Sequence, residues 1–238
     1  MPIAACGDGQ GGGSRVHAQA GEALPGLDSV MLARFERGRS LFHYPYVAEQ
    51  GLGPLFNQQR CSSCHDLPTL GGFGAETVMK AVAWDSISGR CDLLKDAGGD
   101  MIQSQTTALM QAAGIEREAI PERTGQISFM RPPALYGLGL VERIPESAIL
   151  ERVDSADADG DGISGRVGRT ADGRLGRFGR RGEFATLREF TANAALLEMG
   201  LTSSVHGEEE PVNGQPLPAD VDPAPEPELS DESLALLV

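Results

Sequence analysis

Positive charge is scarce in this chain. Its 20 Lys and Arg stand against 34 Asp and Glu, a formal net charge of −14. Nucleic acid and anionic membrane are thereby excluded as main partners, because both repel such a surface. Much of the imbalance is local: from Gly207 to Val238 there are nine carboxylates and no Lys or Arg. Long apolar runs are also absent, and none approaches the roughly 20 residues that cross a bilayer, so the chain reads as no integral membrane protein. Cysteine is sparse, with four in 238 residues. A chain of this length can build one or two domains with a real core and needs no disulfide staples.

What is present is concentrated at Cys61-Ser62-Ser63-Cys64-His65. Two thiols two residues apart, with histidine directly after, form the pattern by which c-type haem is attached. The thiols add to the haem vinyl groups as thioethers, and the histidine supplies an axial nitrogen to iron. The spacing lets one short turn present both sulfurs to one porphyrin edge. A zinc site is the first competitor, with Cys6, Cys91, His17, His43 and His206 as the remaining ligand types and no second C-x-x-C. A thioredoxin-like redox pair is the other, although it expects a βαβ context. Cys91 reads as a small buried residue.

Residues 1–27 lack periodicity and read as a flexible tail. The small residues before Cys6 and the glycines after it resemble the end of a lipoprotein signal, with Cys6 lipidated and the chain exported to the periplasm or anchored at the outer membrane. Order is expected from about Ser29, where Met31, Leu32, Phe35 and Phe42 fall at helical spacing behind Ser29 as N-cap. Residues 75–83 and 100–120 read as helices, and 131–145 as turn and extended chain. Residues 145–153 read as a short helix, and 187–200 as a helix ended by Gly200. The acidic, proline-rich stretch 207–229 reads as a solvated loop. Residues 230–238, with Ser230 as N-cap, read as the start of a truncated helix.

Several motifs stand in a recognisable order: GLGPLFN at 51–57, CSSCH at 61–65, RPPALYGLGLVERIP at 131–145, DADGDGISGR at 157–166, GRFG at 176–179 and LREFTANAALLEMGL at 187–201. Together they resemble the bacterial di-haem oxidoreductase family, also called thiol oxidoreductases, which is similar to the di-haem cytochrome c peroxidases. The resemblance implies a mainly α fold, with a cytochrome-c-like haem domain and long loops over 28–206. It implies covalent haem c on Cys61 and Cys64, and His65 as proximal ligand to iron. The family carries a second haem domain; with one C-x-x-C-H in these 238 residues, the chain reads as the N-terminal portion of such a protein. Where the family carries Trp after the GRFG motif, this chain has Arg180.

By position in those motifs Arg131 and Glu142 are the candidate catalytic residues, with Gln126 behind them. Peroxide cleavage needs an acid/base and a stabilising donor, and Arg131 can also hold a haem propionate through two parallel hydrogen bonds. The competing reading makes Glu142 a solvated acid at a helix entry. Met79, Met101, Met110, Met130 and Met199 are formal sixth ligands, each also explicable as core, while His43 and His206 read as surface residues. Asp157, Asp159 and Asp161 match the first half of a calcium loop, or an acidic solvated turn, without the bidentate Glu at the twelfth position. The expectation is therefore an exported haem-c oxidoreductase fragment of peroxidase-like type that exchanges electrons with a protein partner and takes peroxide. Its alternatives are a mono-haem electron-transfer module and a lipid-anchored metal-binding module without haem.

Overall fold

The computed structural model describes residues 18–238, so Cys6, His17 and most of the expected tail lie outside the described residues. Within them the fold mixes α and β, with 26% helix and 15% strand, which corrects the mainly α expectation. The chain order is α1 (Ser29–Phe42), β1 (Leu55–Phe56), β2 (Val78–Asp85), β3 (Arg90–Asp92), β4 (Met101–Ile102), β5 (Gln105–Thr106), α2 (Ala108–Ala112), β6 (Gln126–Met130), α3 (Leu138–Glu142), α4 (Glu146–Leu150), α5 (Leu187–Met199) and α6 (Asp231–Leu236). No helix among the described residues is long and apolar enough to cross a membrane.

Two antiparallel sheets account for the correction. β2 is the spine of the larger one, pairing β3, β4 and β6, while β1 pairs β5. The stretch expected to be helical at 75–83 is mostly β2. Its Val78, Val82 and Trp84 side chains suit a pleated surface, and a hairpin follows in which Asp85 Oδ1 accepts from the Ile87 amide at 2.9 Å. The β2–β6 register, Val78 opposite Met130 through Val82 opposite Gln126, then binds it to a distant strand. Of the helix expected over 100–120 only α2 forms, opened by Thr107, whose side chain accepts from the Met110 amide. Gly114, at φ +86°, turns the chain just past its end. The 131–145 stretch is turn and extended chain as far as Gly137, and then winds into α3.

The local helix signals elsewhere correspond to observed elements. α5 carries a full capping box between Thr186 and Glu189, and stops at Gly200 in the left-handed conformation. α6 is capped by the Ser230 side chain, and α1 by Asp28, one residue before the expected Ser29.

The main core gathers Tyr46, Leu52, Phe56, Ala192, Ala195, Met199, Leu201, Leu229 and Leu234 around α5, with Cys61 packed against it. A second cluster joins Leu55, Met110, Val212 and Val221. The 207–229 segment has no helix or strand, yet it sends Val212, Val221 and Leu229 into these clusters and so is not solvated throughout. Gly38 lets α1 meet α6, since a Cβ there would overlap the Leu236 carbonyl.

Candidate functional site

Residues 53–58 are fastened to the end of α5: Gly53 N donates to Met199 O at 3.0 Å, and Asn57 N and Gln58 N donate to Glu198 O at 2.8 and 3.1 Å. This carries the chain onto a 3₁₀ turn at Cys61–Ser63. Cys64 N and His65 N both donate to Cys61 O at 3.2 Å, so the two sulfurs and the imidazole leave one turn. The Cys61 and Cys64 thiols are free. Burial pushes each up to about 12, with the Glu198 carboxylate adding to the effect. Burial thus disfavours the free thiolate at both positions. A thioether has no such proton to lose and suits the same buried position.

His65 is half-buried. Its Nδ1 lies 3.1 Å from Gly72 O, which places the proton on Nδ1 and the lone pair on Nε2. Burial holds its pKa below the ordinary imidazole value, against the opposing pull of the Gly72 and Pro133 carbonyls. A neutral ring, oriented through its second nitrogen, is the form in which histidine binds a metal. The Phe42 ring stands 6.3 Å from the imidazole, centroid to centroid.

The loop from 65 to 74 is closed by paired bonds between Leu67 and Phe73, at 2.9 and 2.8 Å, and by Gly71 N donating to His65 O at 2.9 Å. Its glycines are needed for close approach. A Cβ on Gly72 would overlap the Leu67 carbonyl, and one on Gly74 the Cys64 carbonyl. Leu67 is 39% and Phe73 50% exposed, leaving apolar surface uncovered beside the cysteines. Donor set, ring orientation and apolar surround together fit a covalently held haem.

The segment bearing Arg131 lies along this loop. Gly74 N donates to Pro132 O at 3.2 Å, Leu135 N to Gly71 O at 2.8 Å, and Tyr136 Oη to Thr69 O at 2.9 Å. Arg131 is exposed, its carbonyl accepts from Arg180 Nη2 at 2.9 Å, and its guanidinium pairs with no carboxylate among the described residues. Glu142 is engaged elsewhere: its Oε1 accepts from Leu187 N at 2.9 Å, at the start of α5. Gln126 opens β6. Met110 and Met199 are buried in the two cores, and Met79, Met101 and Met130 are strand residues.

Two single-residue expectations need correcting. Cys91 is exposed rather than buried. His206 is half-buried, and its Nε2 is enclosed without a partner. His43 is exposed as expected, with Nδ1 2.7 Å from the Ser62 hydroxyl inside the cysteine motif.

Of the expected calcium residues, Asp157 and Asp159 converge with Asp154, and Asp161 does not join them. Their carboxylates already accept backbone amides: Asp154 from Ala158, Asp157 from Gly162, Asp159 from Asp161 and Asp161 from Ile163. That is the bonding of an acidic turn. A second cluster, missed in the sequence reading, joins Glu209, Asp222, Glu226 and Glu228 within 4.8 Å of one another. The only sequence signal for it was the acidic run without Lys or Arg.

Comparisons with protein-family models, with curated proteins and with solved structures found no match.

Proposed function

We propose that this chain is an exported c-type haem protein of the oxidoreductase class, with Cys61 and Cys64 as thioether attachment points and His65 as proximal iron ligand. The observation that carries the reading is the single turn from which both thiols and the imidazole project, with His65 Nδ1 tied to Gly72 O. Haem bound there would supply one-electron redox chemistry at iron and, with its sixth position open, a site for peroxide reduction.

The chain's own residues divide the remaining work. The Gly72 carbonyl orients His65 and raises the basicity of its other nitrogen. The exposed Arg131 guanidinium, on the strip docked against the 65–74 loop, offers a partner for a propionate. Leu67 and Phe73 offer exposed apolar surface on which a haem edge would rest. The resemblance to di-haem oxidoreductases makes peroxidase-like chemistry the fuller form of this proposal. The engagement of Glu142 with the start of α5 favours the second form, an electron carrier, because the acid proposed to move protons is already bound to an amide.

The test is expression in a bacterial host that matures c-type cytochromes. The expected product keeps its Soret band after denaturation, loses covalent haem when Cys61 and Cys64 are both replaced by Ala, and changes its ferric spectrum in His65→Ala. A colourless product, from a host that matures a control cytochrome alongside, would overturn the assignment. A high-spin ferric spectrum supports the peroxidase form, and a low-spin one the carrier.

A further inference from the structure

The second carboxylate cluster differs from the acidic turn at 154–161. Glu209, Asp222, Glu226 and Glu228 come from a segment without Lys or Arg, yet one oxygen from each lies within 4.8 Å of the others. Glu209 Oε1 and Glu228 Oε1 are shut off from solvent and have no hydrogen-bond partner among the described residues. Enclosed, unpartnered carboxylate oxygens facing other carboxylates are costly unless a cation lies among them. The surrounding backbone is buried and hydrogen-bonded. Thr202 and Ser203 are fully buried, Leu229 N donates to Thr202 O at 3.0 Å, and Thr202 N donates to Glu228 Oε2 at 2.9 Å. The Thr202 hydroxyl contacts both Glu226 and Glu228. Gly51 packs so closely on Glu228 that a Cβ there would overlap its side chain.

We propose that these four carboxylates form a calcium site that pins the 207–229 segment to the end of α5 and the Gly51 turn. All the donors are oxygens, and among the described residues no histidine or cysteine joins the group. That favours a hard cation over zinc. Carboxylates from one irregular segment suit the variable coordination of calcium better than the strict octahedron of magnesium. The site does not depend on haem, although the turn it ties down leads into the cysteine motif.

The experiment is calorimetric titration of the full chain, stripped with chelator, with calcium chloride alone and with magnesium chloride for comparison. Thermal unfolding is followed with and without calcium. One calcium per chain is expected, together with a higher Tm. Glu228→Gln should weaken binding by about tenfold or more, since charge count sets affinity in oxygen-ligand sites. In chelator the same variant should unfold at no lower temperature than the parent, because it relieves repulsion, and a merely structural role for Glu228 would give the opposite. Asp157→Asn combined with Asp159→Asn should leave calcium binding unchanged. The proposal is overturned if calcium does not bind, if magnesium binds equally well, if the double variant Glu209→Gln with Glu228→Gln binds like the parent, or if the Asp157 and Asp159 changes abolish binding.

Discussion

Glu118 gives the best-defined test of how this fold treats its acids. It is 3% exposed, and its Oε2 accepts from Gln103 N at 2.8 Å. Gly98 packs directly on the carboxylate, so that a Cβ there would overlap Oε1. Burial pushes its pKa from 4.5 up to about 7, outweighing the amide bonds from Gln103 and Asn213. A folded-state value above the unfolded one means that the native chain holds the proton more tightly. The associated stability is fully present below about pH 4.5 and is lost as pH rises through about 7. At ~1.4 kcal/mol per unit the full effect is about 3 kcal/mol, of which about 2.5 kcal/mol falls between about pH 5 and pH 8. That is a large part of the ~5–15 kcal/mol that holds a domain together. Urea unfolding of the parent and of Glu118→Gln at both pH values measures it. The parent should lose that amount relative to the variant, since other acids titrate alike in both chains. Parallel shifts of the two midpoints would refute the reasoning.

The other tests address the parts that position the site. Thr186→Ala removes half of the capping box on α5 and should cost about 1 kcal/mol in chemical denaturation, while Thr186→Ser should restore most of it; equal stability of all three would show that the cap is unimportant. Gly74→Ala forces a Cβ against the Cys64 carbonyl, so the haem-loaded variant should show a shifted ferric spectrum or reduction potential. An unchanged spectrum and potential would mean that the 65–74 loop does not set the geometry of His65. Covalent haem on Cys61 and Cys64, and the calcium response of Glu228→Gln, complete the set.

Elements governed by their own neighbours were legible in the sequence. α5 announced itself through its apolar spacing and Gly200, α6 through Ser230, and α4 through Pro145. The mistaken helices were those whose partners lie far along the chain. Residues 78–85 became strand because 126–130 supplies a ladder for them, and no local pattern shows that ladder. Glu142 read either as a proton-transfer acid or as a solvated helix-entry acid, and only the approach of α5 gave it an amide to bind. The loop at Asp157 matched half a calcium motif, and in the structure Asp157 and Asp159 converge with Asp154 while Asp161 stands apart. The acid cluster that does leave oxygens without partners had no motif at all.

By itself, then, the sequence determined that Cys61, Cys64 and His65 lie on one short stretch of chain, and the structure closes that stretch into a turn through amide bonds back to Cys61 O. The sequence also determined the ends of the capped helices, since a cap acts on amides two or three residues away. The tertiary structure alone decided the sheet, the burial of Glu118 and the convergence of Glu209, Asp222, Glu226 and Glu228. Each of these depends on contacts between distant segments, and the desolvation that shifts a carboxylate is a property of what packs over it rather than of its neighbours in the chain.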